Sequence, residues 1–216
     1  MAQGFRPVTV GIMGGSASGK TTFAKALAEE LSSFSLVILH QDSYFRDWTE
    51  YPAEVREKVV TANHPNAICW EALIAHIEQL VARQPIETPI SGTRAAARGD
   101  GSVSIQPGDV VIVEGHLILW NETLRGLMDV KIFMDVDPHE RVLRRLLRDV
   151  GERGGDLERA VAWYRKDVIP NFCIYTEPCK QYVDLILPFQ DGNPVALQMV
   201  AAGIREQIVS RRDVKL

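Results

Sequence analysis

Five short, almost unbroken apolar runs recur along the chain, each separated from the next by a stretch with other spacing. Val8–Met13 ("VTVGIM") is the first, and a helix is expected behind it from Lys20 to about Leu31. Leu36–Asp42 reads as a second strand. Trp70–Arg83 then sets Leu73, Ile77, Leu80 and Val81 on one side of a helix. The weakly patterned stretch 85–109 suggests a hairpin or flap, about 86–106, and Val110–Gly115 and Val130–Val136 are two further strands. A charged helix begins near Pro138 and runs through Val150, and another covers Asp156–Ile169. Val183–Phe189 is the fifth strand, and a last helix follows Pro194. Strands that stay apolar at consecutive positions are buried on both faces. The pattern therefore predicts an α/β fold, a five-stranded parallel sheet in a three-layer α/β/α sandwich, as one domain over 1–216. Ligands of such sheets bind beyond the carboxyl ends of the strands. Asp42, Glu114 and the Gly14–Thr21 loop all fall at such ends.

That loop carries the clearest chemistry. "GGSASGKTT" (Gly14, Gly15, Ser16, Ala17, Ser18, Gly19, Lys20, Thr21, Thr22) contains Gly14-x-x-x-x-Gly19-Lys20-Thr21, with a strand before it and a helix after it. Glycines let backbone N–H groups turn inward around a polyphosphate, and the helix N-terminus adds partial positive charge. Lys20 can reach the β- and γ-phosphates, and the Thr21 hydroxyl can ligate Mg²⁺. A polyphosphate nucleotide and Mg²⁺ are the expected ligands of this loop.

Composition narrows the partners. The chain has 216 residues, 46% hydrophobic, with a net charge of −4. That suits one sizeable core and argues against nucleic acid or an anionic membrane surface as the main partner. No apolar run approaches the ~20 residues of a membrane span, and the start has no secretory pattern. Cys69, Cys173 and Cys179 form no C-x-x-C pair, as expected of reduced thiols in a cytoplasmic protein. A small-molecule acceptor is the expected partner, and a homo-oligomer stays open.

Nucleotide binding alone leaves the reaction undecided. No Asn-Lys pair exists to read guanine as a GTPase would. A small-molecule kinase needs a base for the acceptor hydroxyl, a magnesium partner and cations for the moving phosphoryl group. Asp42, closing the second strand in "HQDSYFRD", can serve as the base or simply cap the strand. Glu114 ends "VVIVEG" with a carboxylate suited to the metal. Arg141, Arg144, Arg145, Arg148 and Arg153 lie in "RVLRRLLRDVGERGG", either on a solvated helix face or on a lid of about 144–156.

Taken in order over about Val8–Pro188, "GGSASGKTT", "HQDSYFRD", "NHPNA", "VVIVEG", "KIFMDVDPHERVLRRLLRD", "ERGGDLE" and "YVDLILP" resemble the uridine kinase family, relatives of phosphoribulokinase. That family moves the ATP γ-phosphate to a ribose 5′-hydroxyl. By position, the resemblance implies Asp42 as catalytic aspartate, Glu114 as magnesium-associated glutamate, and Arg145, Arg148 and Arg153 as phosphate-contacting lid arginines. It also implies Tyr44 in the acceptor pocket.

The departures gather on the acceptor side. The resemblance puts Asn66 where the family has a ribose-gripping aspartate. Ser91 and Ala96 stand for a tyrosine and a histidine that cradle the pyrimidine, while Arg98 is retained. Gly155 replaces a base-contacting arginine, and Trp163 replaces a glutamine; Trp163 either stacks on the acceptor or packs within its helix. The sequence thus reads as a Mg-ATP-dependent kinase acting on an alcohol of a nucleoside, riboside or sugar-like molecule. An ordinary uridine/cytidine kinase and an ATP-binding switch without turnover are the rival readings.

Overall fold

A computed structural model describes residues 5–49, 51–99, 101–188 and 192–213. Strand β1 (Val8–Gly14) enters the glycine loop, helix α1 (Lys20–Glu30) leaves it, and β2 (Leu36–His40) returns. Next come α2 (Ala53–Val59), α3 (Trp70–Val81), β3 (Ile86–Thr88), α4 (Arg94–Ala97), β4 (Val103–Ile105) and β5 (Val110–Gly115). The remainder holds α5 (Glu122–Gly126), β6 (Val130–Asp135), α6 (Pro138–Leu146), α7 (Leu157–Trp163) and α8 (Ile169–Asn171). It closes with β7 (Leu185–Pro188) and α9 (Pro194–Asp213).

Five strands pair in the order β2-β5-β1-β6-β7, every pairing parallel. Successive residues of a strand point to opposite faces, so the central strands feed two cores. Val10, Ile12 and Ile112 pack on Phe23 and Leu27 of α1 and on Ile204 and Ile208 of α9. Met13, Val111 and Val113 pack on Leu73, Ile77 and Leu80 of α3. Burial on both faces is why β1 and β5 read as unbroken apolar runs. The register sets Glu114 beside both Ile12 and His40, so the ends of three adjacent strands open at one place.

Several boundaries differ from the sequence reading. The second strand stops at His40, and Gln41–Tyr44 form a tight 3-10 turn. Gln41 is buried there, its Oε1 accepting the Leu117 N–H at 2.8 Å, and this bond turns the chain before Asp42. The weakly patterned stretch resolves into β3 and β4, paired antiparallel from Ile86 to Ile105, with α4 inserted between them. Past α6 and α7 the helix widens into π turns over Leu147–Glu152 and Tyr164–Val168. Each wider turn adds a residue and rotates the side chains that follow. The last strand is Leu185–Pro188, and Phe189 lies outside the described residues.

Candidate active site

The loop between β1 and α1 is built for close backbone approach. Gly19 caps α1 with φ +85°, a left-handed conformation that favours glycine. At Gly15 a Cβ would sit 2.0 Å from Nη1 of Arg141, so a side chain there would displace that guanidinium. Lys20 donates from Nζ to the Gly15 carbonyl at 2.9 Å, folding back over the loop. Burial lowers its ammonium below the usual lysine range, against the opposing pull of Glu114 and Asp42.

One cavity of about 710 Å³ joins this loop to the strand ends and to the arginine segment. The Thr21 hydroxyl donates to Oε1 of Glu114 at 3.0 Å, and His40 Nδ1 meets the same oxygen at 2.7 Å. Burial pushes the Glu114 carboxyl up, but the His40 hydrogen bond, Lys20 and Thr21 outweigh it and hold the group below its usual range. A hydroxyl and an ionised carboxylate in contact are the hard oxygen donors Mg²⁺ takes, so the residues present fit that ion. Asp42 lines the same cavity from the turn after β2. Among the described residues no hydrogen bond or ion pair engages its carboxylate.

Arginines of the segment after Pro138 reach the cavity as a linked set. Arg145 donates from Nη1 to the Ser16 hydroxyl at 2.7 Å, bridging the arginine segment and the glycine loop. Asp149 gathers Arg145, Arg148 and Arg153 at 3.1, 2.8 and 3.4 Å. Arg144 lines the cavity as well. Arg141 does not: it is buried, donates to the Val136 carbonyl at 3.1 Å, and stacks on Phe172 behind the loop.

On the acceptor side the structure places the expected residues elsewhere. Tyr44 is buried in the core with its hydroxyl 2.8 Å from Nδ1 of His76, and the next residue, Phe45, lines the cavity instead. Asn66 lines a separate groove beside Trp70 and Trp120, while Asn63, three positions earlier, faces the main cavity. Trp163 and Gly155 share a further groove with Arg159, and Arg98 lines a small cavity next to Arg94. Ser91 is exposed in the turn before α4 and lines none of these.

Residues that the sequence did not single out line the main cavity or hold its wall. Asn63 is buried and donates Nδ2 to Oδ2 of Asp167 at 2.6 Å, leaving its carbonyl oxygen for a ligand. Asp167, itself buried, also accepts from the Ala62 N–H at 3.0 Å, from the Thr61 hydroxyl and from Asn171 Nδ2 at 3.1 Å. His116 donates Nε2–H to the Ala62 carbonyl at 2.7 Å, and burial drops its pKa to about 4, so the ring is neutral. Arg94 enters from α4. His116 was signalled by its place two residues past Glu114 at a strand end; nothing local distinguished Asn63 from Asn66.

This fold and site define a phosphate-loop phosphotransferase. Residues 9–196 match the phosphoribulokinase / uridine kinase family, and the chain belongs to it. It is 42% identical over 200 residues to a uridine kinase of Lactiplantibacillus plantarum, covering 93% of this chain and 95% of that one. A uridine kinase of a Geobacillus species is 40% identical over 202 residues, covering 94% and 95%. The phosphoribulokinase structure from Rhodobacter spheroides shares the fold, with a TM-score of 0.60 at 14% identity over 88% of this chain and 74% of that one. The chain is thus an ATP-dependent phosphotransferase acting on a hydroxyl group. No helix among the described residues is long and apolar enough to cross a membrane.

Proposed function

We propose that the protein transfers the γ-phosphoryl group of ATP to a hydroxyl of a nucleoside, riboside or sugar-like acceptor whose contacts differ from those of a pyrimidine nucleoside. The observation that carries this reading is the unengaged Asp42 carboxylate sharing one cavity with Lys20 and the Thr21–Glu114 pair. Backbone N–H groups of Gly14–Thr22 hold the polyphosphate, and Lys20, Arg145, Arg148 and Arg153 offset its charge. Thr21 and Glu114 would hold Mg²⁺, which supplies further charge neutralisation at the phosphates. Asp42 accepts the hydroxyl proton as the acceptor oxygen bonds to phosphorus and the bond to the bridging oxygen breaks, releasing ADP.

Asn63, His116 and Arg94 support a changed acceptor, because they present an amide, a neutral imidazole and a cation to the space beside Asp42. A second reading, a plain uridine kinase, is favoured by the names of relatives 40–42% identical. A screen of acceptor-dependent ADP release across nucleosides, ribosides, sugars and hydroxy acids tests both. Preferred turnover of uridine or cytidine overturns the changed acceptor, and no response to any acceptor overturns the kinase.

A further inference from the structure

Arg94 lines two cavities at once. On one side it shares the main cavity with Asp42. On the other it lines a cavity of about 430 Å³ with Arg56, Arg98, Trp48, Thr49 and Asp47. Its guanidinium is half-buried, stacked 5.1 Å from the centre of the Phe45 ring, with only a 3.5 Å contact from Nη2 to the Thr61 carbonyl.

Three arginines here face one lining carboxylate, which makes its hydrogen bonds to Thr49 rather than to them. Both Asp47 oxygens are taken by Thr49, one by its N–H at 3.1 Å and the other by its hydroxyl. Asp47, Asp42 and Asp167 act on Arg94 only through space. Among the described residues no carboxylate comes within ion-pair distance of Arg56, Arg94 or Arg98. Two residues that line this cavity also carry buried N–H donors without partners: Nε1 of Trp48, a residue only 9% exposed, and Nε of Arg56.

Buried donors are normally satisfied, and a half-buried guanidinium is best compensated by an anion that takes its forked N–H groups. A neutral riboside offers no such group. We propose that the acceptor carries an anion, a carboxylate or a phosphate, besides its reacting hydroxyl, and that Arg94, supported by Arg56 and Arg98, receives that anion while the hydroxyl lies at Asp42. This rests on the reading of the main cavity as a kinase site.

The test measures binding separately from turnover. Protein saturated with Mg-ADP, so that the glycine loop is filled, is titrated calorimetrically with ribose 5-phosphate against ribose, and with glycerate against glycerol. The anionic member of at least one pair should bind about 10-fold or more tightly than its neutral partner. The pair that responds identifies phosphate or carboxylate as the anion. Arg94→Gln should abolish the preference, and Arg98→Gln, at an exposed position, should weaken it several-fold with ADP affinity unchanged. Equal binding within both pairs, no binding of either anion, or a preference untouched by both variants overturns the proposal. If Arg94→Gln does not fold, the wild-type pairs and Arg98→Gln decide. Anion binding as expected, with no ADP release from any acceptor, would sink the kinase reading and leave the anion site standing.

Discussion

His116 gives its Nε2–H to the carbonyl of Ala62 at 2.7 Å, and its Nδ1 stands 3.4 Å from Nε2 of Gln41. Those two contacts assign the neutral tautomer with the proton on Nε2. They tie the segment that carries Asn63 to the residue just past the end of β5.

A pH dependence of stability follows from that buried ring. Burial lowers the His116 pKa from 6.5 to about 4. Between those values the unfolded chain binds a proton that the folded chain does not, so stability falls as pH drops from 6.5 toward 4. The loss from this group is on the order of 2–3 kcal/mol across the window. Denaturant melts at pH 7 and pH 4.5 should show it, and His116→Gln should shrink the difference. An unchanged difference would count against the neutral, buried imidazole.

Asp42 is expected to act in the transition state alone. Asp42→Asn should lower kcat by about 10²–10⁴-fold while ATP binding stays nearly unchanged. Steady-state kinetics with a responsive acceptor, together with ATP titration, checks this. An unaltered kcat removes the base role, and a lost ATP affinity points to metal ligation instead.

Asp167 organises the cavity wall around Asn63 by collecting donors from Thr61, Ala62, Asn63 and Asn171. Asp167→Ala strands several of them in a buried place, at about 1–3 kcal/mol for each that water cannot reach. With two such donors and about 2–4 °C per kcal/mol for a domain of this size, Tm should fall by roughly 4–24 °C. Calorimetry on the variant measures it. A shift below 2 °C would mean that water replaces the carboxylate.

Uridine should be a poor acceptor. Asn63, His116 and Arg94 line the cavity with Asp42, and none of the positions matched to the family's ribose and pyrimidine contacts lines it. Losing two matched polar partners at about 2 kcal/mol each lowers efficiency about 10³-fold. Measuring kcat/KM for uridine and cytidine decides this: values within the 10⁴–10⁸ M⁻¹s⁻¹ of good substrates would restore the plain uridine kinase.

The phosphate side of this protein was legible in its sequence because its parts are local. Gly14–Thr22 is contiguous, and a strand buried on both faces announces itself by composition, so the ends of β1 and β5, and with them Lys20, Thr21 and Glu114, followed directly. The acceptor side draws instead on separate segments around residues 42–45, 61–63, 94 and 116. There a shift of one residue changes what a side chain meets. The 3-10 turn after β2 sends Tyr44 into the core and Phe45 into the cavity, and Asp167, more than a hundred residues away in sequence, holds Asn63 rather than Asn66 in place. Backbone preference and apolar period carry no information about such directions. They are set by long-range hydrogen bonds and packing, which exist only once the segments have met.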